Sequence, residues 1–426
     1  MYFDFLLNVT FPRNKNKIFT RAQELYEACC VAERNARVYP DQCLLNIGRA
    51  CEILTKCILS EDGFDCERID LSGLIYNLFE SKYISYKDKE IFNRFRFCRN
   101  NVAHTETQRT ELKFQPNLKN ACECTVDLYK QLAKLFKARV PELNAEMLPI
   151  GDYEVIKTIK AHKFESVAGN FNYLCKKKGS DIDAFAYVRP FETNEDSSKN
   201  VFNERDLEVQ NFFSNMRGSS YIIRGTEIPS SNNYCELRYL AYEIRENTKT
   251  LDMCKDISAY DALDIISQIT TGLKALSTKK INIHHRGIRP SCIFVNKYDD
   301  EYEAKIGCFE TAKIEYKERE MRTVMSYMVD SQKENPFIHP ELVGRVSATD
   351  EEWEKGDVYS LAAVLLNCLS PESIQQGNMD CSVLTDYFSD SFFEKMLQIL
   401  VEGDLEVVPN LGDFLALIES EKELFE

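Results

Sequence analysis

The chain has 426 residues, 44% of them hydrophobic, and a formal net charge of −15. This length suits two or three domains of ~150 residues, the composition is that of a globular chain, and the acidic balance argues against a nucleic-acid binder that is basic throughout. No apolar run reaches the ~18 residues of a membrane span, and the first residues lack the basic region of a signal peptide. We therefore expect a cytoplasmic protein with no membrane association.

Charge is distributed unevenly along the chain. Residues 1–140 carry 22 Lys and Arg against 18 Asp and Glu, whereas residues 141–426 carry 31 against 50. Residues 141–150 contain two prolines and precede a glycine, which is typical of a connecting segment. We predict a first domain over residues 1–140, a linker over 141–150 and a second domain over 151–426.

The sixteen cysteines include no C-x-x-C pair and no zinc-finger spacing. Most of them lie in apolar helical stretches, which favours reduced, buried thiols over disulfides or metal ligands. The chain has only five histidines, which limits metal sites further. We predict neither a metal nor a cofactor.

The first domain is predicted to be all-α. Residues 16–38 have helical spacing, and a second helix begins at Pro40. Further helical segments follow at about 70–80, 86–104 and 118–138, and nothing between 16 and 138 alternates like a strand. This pattern predicts a bundle of four or five helices.

The fourth predicted helix, residues 86–104, has one apolar and one polar face. Its apolar residues recur at i, i+4, i+7 and i+11 and form the predicted core stripe: Ile91, Phe95, Cys98 and Val102. At about 100° per residue, Asn100 and His104 lie nearly opposite that stripe, and Arg99 lies on its flank. By itself this pattern also fits a solvated face with a histidine at the favourable end of the helix dipole.

The segment from Arg99 to His104 reads R-N-N-V-A-H and resembles the R-x4–6-H motif of the HEPN superfamily. The likeness covers about residues 16–138, including the second helix. It implies a metal-independent ribonuclease that acts as a homodimer on RNA, with Arg99, Asn100 and His104 as catalytic residues. Histidine titrates near neutrality and suits proton transfer, and arginine stabilises phosphate charge. Glu52 is a weaker candidate, better explained as a solvated acid, and some members of the superfamily are inactive.

The second domain begins with strand-like runs and becomes mainly helical from residue 258, which predicts a two-lobed α+β fold. The runs lie at 153–159, 170–175, 184–189, 221–224 and 239–244, with a helical stretch at about 201–216.

Four segments of this domain resemble protein-kinase motifs in the family's order. Residues 284–295 resemble the catalytic loop H-R-D-x-K-P-x-N-I-x-V, and residues 305–310 occupy the D-F-G position. Residues 339–341 resemble A-P-E, and residues 357–361 resemble the D-V-Y-S-L of the following buried helix. The resemblance implies that His285, Arg286, Phe309 and Asp357 keep architectural roles.

Several positions depart from the kinase pattern. The catalytic aspartate is Gly287, the metal-binding asparagine is Cys292 and the D-F-G aspartate is Cys308. The third-strand lysine is matched by Arg189, and its helix partner is assigned to Glu204, with Glu208 as the alternative. Phosphoryl transfer depends on positioned phosphates and on metal charge. We therefore expect a pseudokinase, while nucleotide binding near Tyr242 stays open.

Two functions follow from these resemblances. The leading one is an endoribonuclease, a toxin or defence effector, controlled by a catalytically dead kinase-like domain that responds to a regulatory protein or nucleotide. The alternative is a non-enzymatic scaffold or ligand sensor that assembles partners.

Overall fold

The computed structural model describes residues 1–104, 118–161, 171–179, 184–192, 205–212, 220–230, 237–277, 281–316, 334–345, 347–375 and 378–425. The chain begins with a 3-10 helix over Tyr2–Asn8 and a short hairpin of β1 (Thr10–Phe11) and β2 (Asn14–Ile18). The strand β2 corrects the expectation of a helix from residue 16. Its sequence Asn-Lys-Asn-Lys-Ile is polar, so the apolar helical face begins only at Ala22.

Among the described residues of the N-terminal part there are five helices, and their order confirms the predicted helical region. They are α1 (Ala22–Asn35), α2 (Pro40–Glu61), α3 (Leu71–Glu80), α4 (Tyr86–His104) and α5 (Leu118–Phe136). Proline occupies the start of α2, where its missing N–H is not needed, and the Asp70 carboxylate caps α3 by accepting the Gly73 N–H at 2.8 Å. Their apolar faces meet in one core.

Residues 141–150 are packed against this helical core. The side chains of Leu143 and Leu148 are buried within it, and the Tyr129 hydroxyl donates to the Pro141 carbonyl at 2.8 Å. A short 3-10 helix spans Ala145–Met147. The predicted division into domains over 1–140 and 151–426 stays a prediction.

A five-stranded sheet follows, in the order β3-β4-β5-β7-β6. Its strands are β3 (Tyr153–Lys160), β4 (Phe171–Lys177), β5 (Phe185–Glu192), β6 (Gly225–Ile228) and β7 (Leu237–Ile244). Four of the predicted runs are therefore strands. The run at 221–224 is not one: it makes a single bridge from Ile222 to Ile306, and the strand begins at Gly225.

The remainder is mainly helical around a second core. Helix α6 covers 205–212, and α7 (Ala259–Ala275), α8 (Asp350–Leu369), α9 (Asp390–Leu400) and α10 (Leu411–Lys422) follow. Short strands lie among them: β8 (Lys249–Thr250), β9 (Ile281–His284), β10 (Ile293–Tyr298), β11 (Glu301–Ile306), β12 (Lys313–Tyr316), β13 (Ile374–Gln375) and β14 (Asn378–Met379). The strands β10 and β11 form an antiparallel hairpin, and β9 pairs with β12. Residues 285–292 connect β9 to β10, and residues 307–312 connect β11 to β12.

The chain divides into two compact units. Unit 1 comprises Met1–Ile159, Phe171–Thr193 and Glu227–Tyr239, and unit 2 comprises Lys160–Asn170, Asn194–Thr226 and Leu240–Glu426. The helical part thus belongs to the same unit as the strands β3, β4 and β5. Of the helices in the described ranges, none combines the length and the apolar character needed to cross a bilayer.

Candidate functional site

Helix α4 carries the Arg99-to-His104 motif at its C-terminal end. The predicted core stripe faces inward. Phe95 and Cys98 are buried, and Ile91 and Val102 are partly buried against the helical core. The predicted orientation of the apolar face of this helix is therefore confirmed.

Arg99 is positioned by a close approach of α4 to α2. A Cβ atom on Gly48 would lie only 2.3 Å from Cγ and 2.7 Å from Cβ of Arg99, so the arginine stem lies directly across this glycine. The half-buried Arg99 then donates from Nη1 to Oδ1 of Asn100 at 3.2 Å. Two of the three predicted catalytic residues are thus in contact, and the sequence analysis missed the close approach of Gly48 to Arg99.

The third residue, His104, ends α4, and its side chain lies outside the described residues. Glu52, the weaker candidate, forms an ion pair with Lys56 one turn later in α2, at 2.7 Å. This pairing is that of an ordinary helix-surface acid.

The loop after β9 is held by a buried carboxylate from α8. Asp357 accepts the backbone N–H groups of His285 and Arg286, both at 2.8 Å, one on each carboxylate oxygen. The ring of His285 contacts the Gly307 carbonyl at 2.8 Å and lies 4.8 Å from the buried ring of Phe309, measured between centroids. These contacts match the architectural roles that the kinase resemblance implies.

Burial changes the ionisation of this loop. It raises the pKa of Asp357 to about 7, although the two backbone N–H donors favour the charged form. Burial and, secondly, the charge of Arg205 lower the pKa of Arg286 to about 9. The Arg286 guanidinium donates from Nε to the Thr311 carbonyl at 2.9 Å and stacks on the Trp353 ring at 4.9 Å. This arginine is therefore built into the core of unit 2.

The three positions that lack kinase catalytic groups are closely packed. A Cβ on Gly287 would lie 2.4 Å from Oγ1 of Thr311, whose hydroxyl donates to the His285 carbonyl at 2.9 Å. Cys292 is fully buried and donates from Sγ to the Gly287 carbonyl at 3.5 Å. Cys308 is also buried and has left-handed backbone with φ of 64°. No carboxylate occupies any of these positions.

A buried ion pair lies beside these positions. Arg289, at the place of the catalytic-loop lysine, donates from Nη2 to Oε1 of Glu310 at 2.9 Å, and both side chains are 2% exposed. Arg289 also donates from Nη1 to the Gly287 carbonyl and from Nε to the Ser291 hydroxyl, both at 3.1 Å. A cation and an anion of the chain are thus paired inside the protein, next to Gly287.

Helix α6 contributes a residue that the sequence analysis missed. Asp206 is fully buried, and its Oδ2 accepts the backbone N–H of Phe309 at 3.1 Å and the hydroxyl of Tyr242. The same hydroxyl accepts the backbone N–H of Cys308 at 3.0 Å. Asp206 and Tyr242 therefore fix the Cys308–Phe309 backbone.

Of the predicted pair between Arg189, at the third-strand lysine position, and Glu204, only Arg189 lies in the described residues. Arg189 is fully buried in β5, with its guanidinium carbon 5.7 Å from the centroid of the Phe191 ring. Glu204 lies outside the described residues. The alternative, Glu208, is partly exposed and lies 3.8 Å from Nε of Arg205 on its own helix.

The cysteines in the described part of the chain lie mostly inside the protein. All cysteines in these ranges are unbridged, and most are buried. The same ranges contain no group of three or more His, Cys, Asp or Glu side chains arranged to hold a metal ion.

A sheet, a catalytic-type loop clamped by Asp357 and a following helical part define a protein-kinase-like domain. The family model for the protein kinase domain matches residues 148–416, more than half of the chain, and the chain belongs to that family. A search of curated proteins found no match to the chain.

Proposed function

We propose that this protein is a metal-independent endoribonuclease, a toxin or defence effector, whose helical domain carries the active site and whose kinase-like domain is a regulatory pseudokinase. The observation that carries the proposal is the arrangement of Arg99. Its stem lies across Gly48, and its guanidinium contacts Asn100 one residue along the helix that ends at His104. A fixed cation, an amide and a histidine on one helix end are the groups that RNA cleavage by an internal nucleophile requires.

The chemistry follows from the residue types. One group must take the proton of the RNA 2′-hydroxyl as its oxygen attacks the adjacent phosphorus, and one must protonate the departing 5′-oxygen. His104 serves proton transfer because histidine as a residue type ordinarily titrates near neutrality. Arg99 stabilises the negative charge that builds on the phosphate, and Asn100 holds Arg99 or the phosphate. The products are a 2′,3′-cyclic phosphate and a free 5′-hydroxyl.

The pseudokinase part of the proposal rests on Gly287, Cys292 and Cys308. Without carboxylate or amide oxygens at these positions, the protein offers no hard ligands to magnesium there. The neighbouring Arg289–Glu310 ion pair supports the same conclusion, since each partner already satisfies the other.

Regulation is supported by contacts between the helical part and the sheet inside unit 1. Arg37, just after α1, donates to the Ala145 carbonyl at 3.0 Å, and its guanidinium carbon lies 4.6 Å from the centroid of the Tyr173 ring in β4. Arg34 lies 3.3 Å from the carboxylate of Asp152. A ligand or protein that shifts these strands would therefore also move the helical part.

The test is incubation of the purified protein with total tRNA and ribosomal RNA in the presence of EDTA. We expect cleavage that leaves 2′,3′-cyclic phosphate ends, abolished by His104→Ala and reduced ~10²–10³-fold by Arg99→Ala. The matched control is Glu52→Ala, which should cleave like the wild type. Equal cleavage by wild type and His104→Ala, or inhibition by EDTA, would overturn this mechanism.

The second candidate is a non-enzymatic scaffold or ligand sensor. The internally satisfied ion pair and the Asp206–Tyr242 contacts favour it, because they stabilise the kinase-like domain without any ligand. If the protein is folded and does not cleave RNA, this second candidate becomes the preferred function.

A further inference from the structure

One face of the β10–β11 hairpin lines a cavity of about 220 Å³. Phe294 and Asn296 alternate onto this face of β10, and their cross-strand partners in β11 are Lys305 and Glu303. The other residues that line the cavity also belong to unit 2. They do not include positions 287, 292 and 308, so this cavity is separate from the loop that Asp357 holds.

The segment that follows β7 forms another part of the cavity wall, including Arg245 and Thr248. These two residues make a turn in which the Thr248 N–H donates to the Arg245 carbonyl at 3.0 Å, and the Arg245 N–H donates to Oγ1 of Thr248 at 3.1 Å. Strand β8 follows at once and pairs with β10, Thr250 lying opposite Phe294. The backbone of this wall is therefore tied to the hairpin.

Asn296 brings an amide with unused hydrogen-bonding capacity to the cavity. The residue is 6% exposed and lines the cavity, and its side chain makes no hydrogen bond with any residue in the described part of the chain. Buried amides normally have partners, because a donor or acceptor removed from water without one is costly. A polar ligand in the cavity would supply the missing partner.

The charged side chains of the cavity differ in how far they are paired. Glu303 lies 3.4 Å from Nη1 of Arg245 and 3.1 Å from Nζ of Lys305, so two cations share one carboxylate. These cations can therefore bind a second carboxylate. Glu243 is exposed and forms no ion pair with a residue that the structure describes. Its carboxylate can therefore bind an ammonium group.

We propose that this cavity binds a small apolar α-amino acid as its zwitterion. The ligand carboxylate pairs with Arg245 and Lys305, its ammonium group pairs with Glu243, and the amide of Asn296 hydrogen-bonds to the bound molecule. A ligand with both charges matches a wall that carries two cations and two acids, since a lone anion or cation would leave one sign unused.

The size and the apolar part of the wall narrow the class of ligand. The volume is below the ~300–1,000 Å³ of typical ligand pockets, which favours a molecule the size of an amino acid. Ile223 and Phe294 line the same cavity and offer apolar surface to a ligand side chain. The proposed site does not depend on the ribonuclease.

The first test is thermal denaturation of the full chain with each proteinogenic amino acid in turn at millimolar concentration. A ligand that binds only the folded state raises the midpoint of unfolding. We expect a rise with apolar L-amino acids such as L-leucine and a much smaller one with the D-enantiomer, which affects the solvent equally. No rise with any amino acid, or equal rises with both enantiomers, would overturn the proposal.

The second test is calorimetric titration with L-leucine, N-acetyl-L-leucine and L-leucinamide. Each derivative lacks one charge of the zwitterion and should bind ~5-fold or more weakly than L-leucine. Glu243→Gln should weaken L-leucine by about the same factor and leave N-acetyl-L-leucine unchanged, because that derivative has no ammonium group. The matched control is Glu246→Gln, another exposed acid of this segment that does not line the cavity, which should bind like the wild type.

Asn296→Leu, a change of similar volume, should abolish binding of L-leucine, and the exposed Glu243→Gln keeps the test decisive if the buried variant unfolds. Equal affinity of the wild type and Glu243→Gln for L-leucine would overturn the proposal. Competition by ATP would also overturn it, because the cavity would then belong to a nucleotide site. None of these measurements involves RNA, so their failure is distinct from a failure of the ribonuclease.

Discussion

Arg289 and Glu310 form a buried ion pair, with Nη2 and Oε1 at 2.9 Å and each side chain 2% exposed. In the kinase motifs these two positions hold a lysine and the glycine of D-F-G, and a glycine could not form this ion pair. Charges removed from water at this depth must remain paired, because an isolated buried ion loses its hydration without compensation.

Removing one partner should therefore unfold the domain more easily. We expect Glu310→Ala to lower the free energy of unfolding by about 3–5 kcal/mol, since Arg289 would stay buried without its partner. The double variant Arg289→Met/Glu310→Leu should recover most of that loss. Denaturant titration followed by circular dichroism measures both, and a loss below about 1 kcal/mol in Glu310→Ala would contradict this interpretation.

Restoring the catalytic aspartate alone should not restore a kinase. A side chain at residue 287 meets Oγ1 of Thr311 at 2.4 Å, so Gly287→Asp should lower the free energy of unfolding by about 1–3 kcal/mol. Thr311→Ala in the same chain should relieve part of this loss, with Thr311→Ala alone as the control. Neither the wild type nor these variants should transfer labelled phosphate from ATP. Stoichiometric autophosphorylation would require giving up the pseudokinase.

Local patterns were sufficient for most of the fold. The helices from Pro40 onward and the strands β3, β4, β5 and β7 follow apolar periodicity and breakers, which act over a few residues. The hairpin strand β2 was missed because its polar sequence has no apolar alternation. The strand that begins at Gly225 was predicted at 221–224 because Ile222 and Ile223 are apolar. Both are buried within unit 2, where Ile222 makes a single bridge to Ile306.

The candidate sites depended on packing that no local pattern encodes. Asp206 and Glu208 both lie on α6, and only tertiary contacts decide that Asp206 faces Phe309. The contact of Arg99 with Gly48 joins two helices about fifty positions apart, and Glu310 meets Arg289 across a loop. Motif positions could be assigned from the sequence, whereas their partners could not.

We predict a homodimer because the sequence pattern places Asn100 and His104 on one helix face, and a second copy would complete the proposed site around RNA. A two-fold interface brings both copies of the same face together. Light scattering at micromolar concentration should give about twice the chain mass of 49.3 kDa. A monomer both with and without RNA would count against this arrangement.

Acid should destabilise the protein partly through His284, whose Nε2 lies 3.3 Å from Oδ1 of Asp350. Burial lowers the pKa of His284 to about 4, from an ordinary 6.5. The unfolded chain therefore binds the proton first, and the contribution of His284 is lost as pH falls from about 6.5 to about 4. The raised pKa of Asp357 has the opposite effect on the free energy of unfolding. The folded chain binds that proton first, so this group adds stability as pH falls over the same range.

Comparison with His284→Gln isolates this effect, because other titrating groups contribute equally to both proteins. The free energies of unfolding of the wild type and of His284→Gln should differ more at pH 7 than at pH 4.5. The difference should shrink because only the wild type loses the contribution of His284 as pH falls. Denaturant titrations at both values measure the difference. A constant difference between the two proteins would show that His284 is not held neutral by burial.

Gly48 offers a test of the ribonuclease site without touching a proposed catalytic residue. A methyl group there would overlap Cγ and Cβ of Arg99, at 2.3 and 2.7 Å, and would push the guanidinium away from Asn100. We expect Gly48→Ala to lower kcat for RNA cleavage ~10-fold or more, because small displacements of a charge-stabilising group are costly. The effect on KM should be smaller.

The matched control for Gly48→Ala is Gln42→Ala, an exposed position on the same helix, which should cleave RNA like the wild type. Circular dichroism should show the same helical content in both variants, since alanine favours a helix and only the Arg99 contact is disturbed. If Gly48→Ala cleaves RNA with the wild-type kcat, then either Arg99 does not need its position across α2 or the arginine takes no part in the reaction. An Arg99→Ala variant assayed beside it separates these two explanations, because only the second predicts wild-type cleavage without the guanidinium.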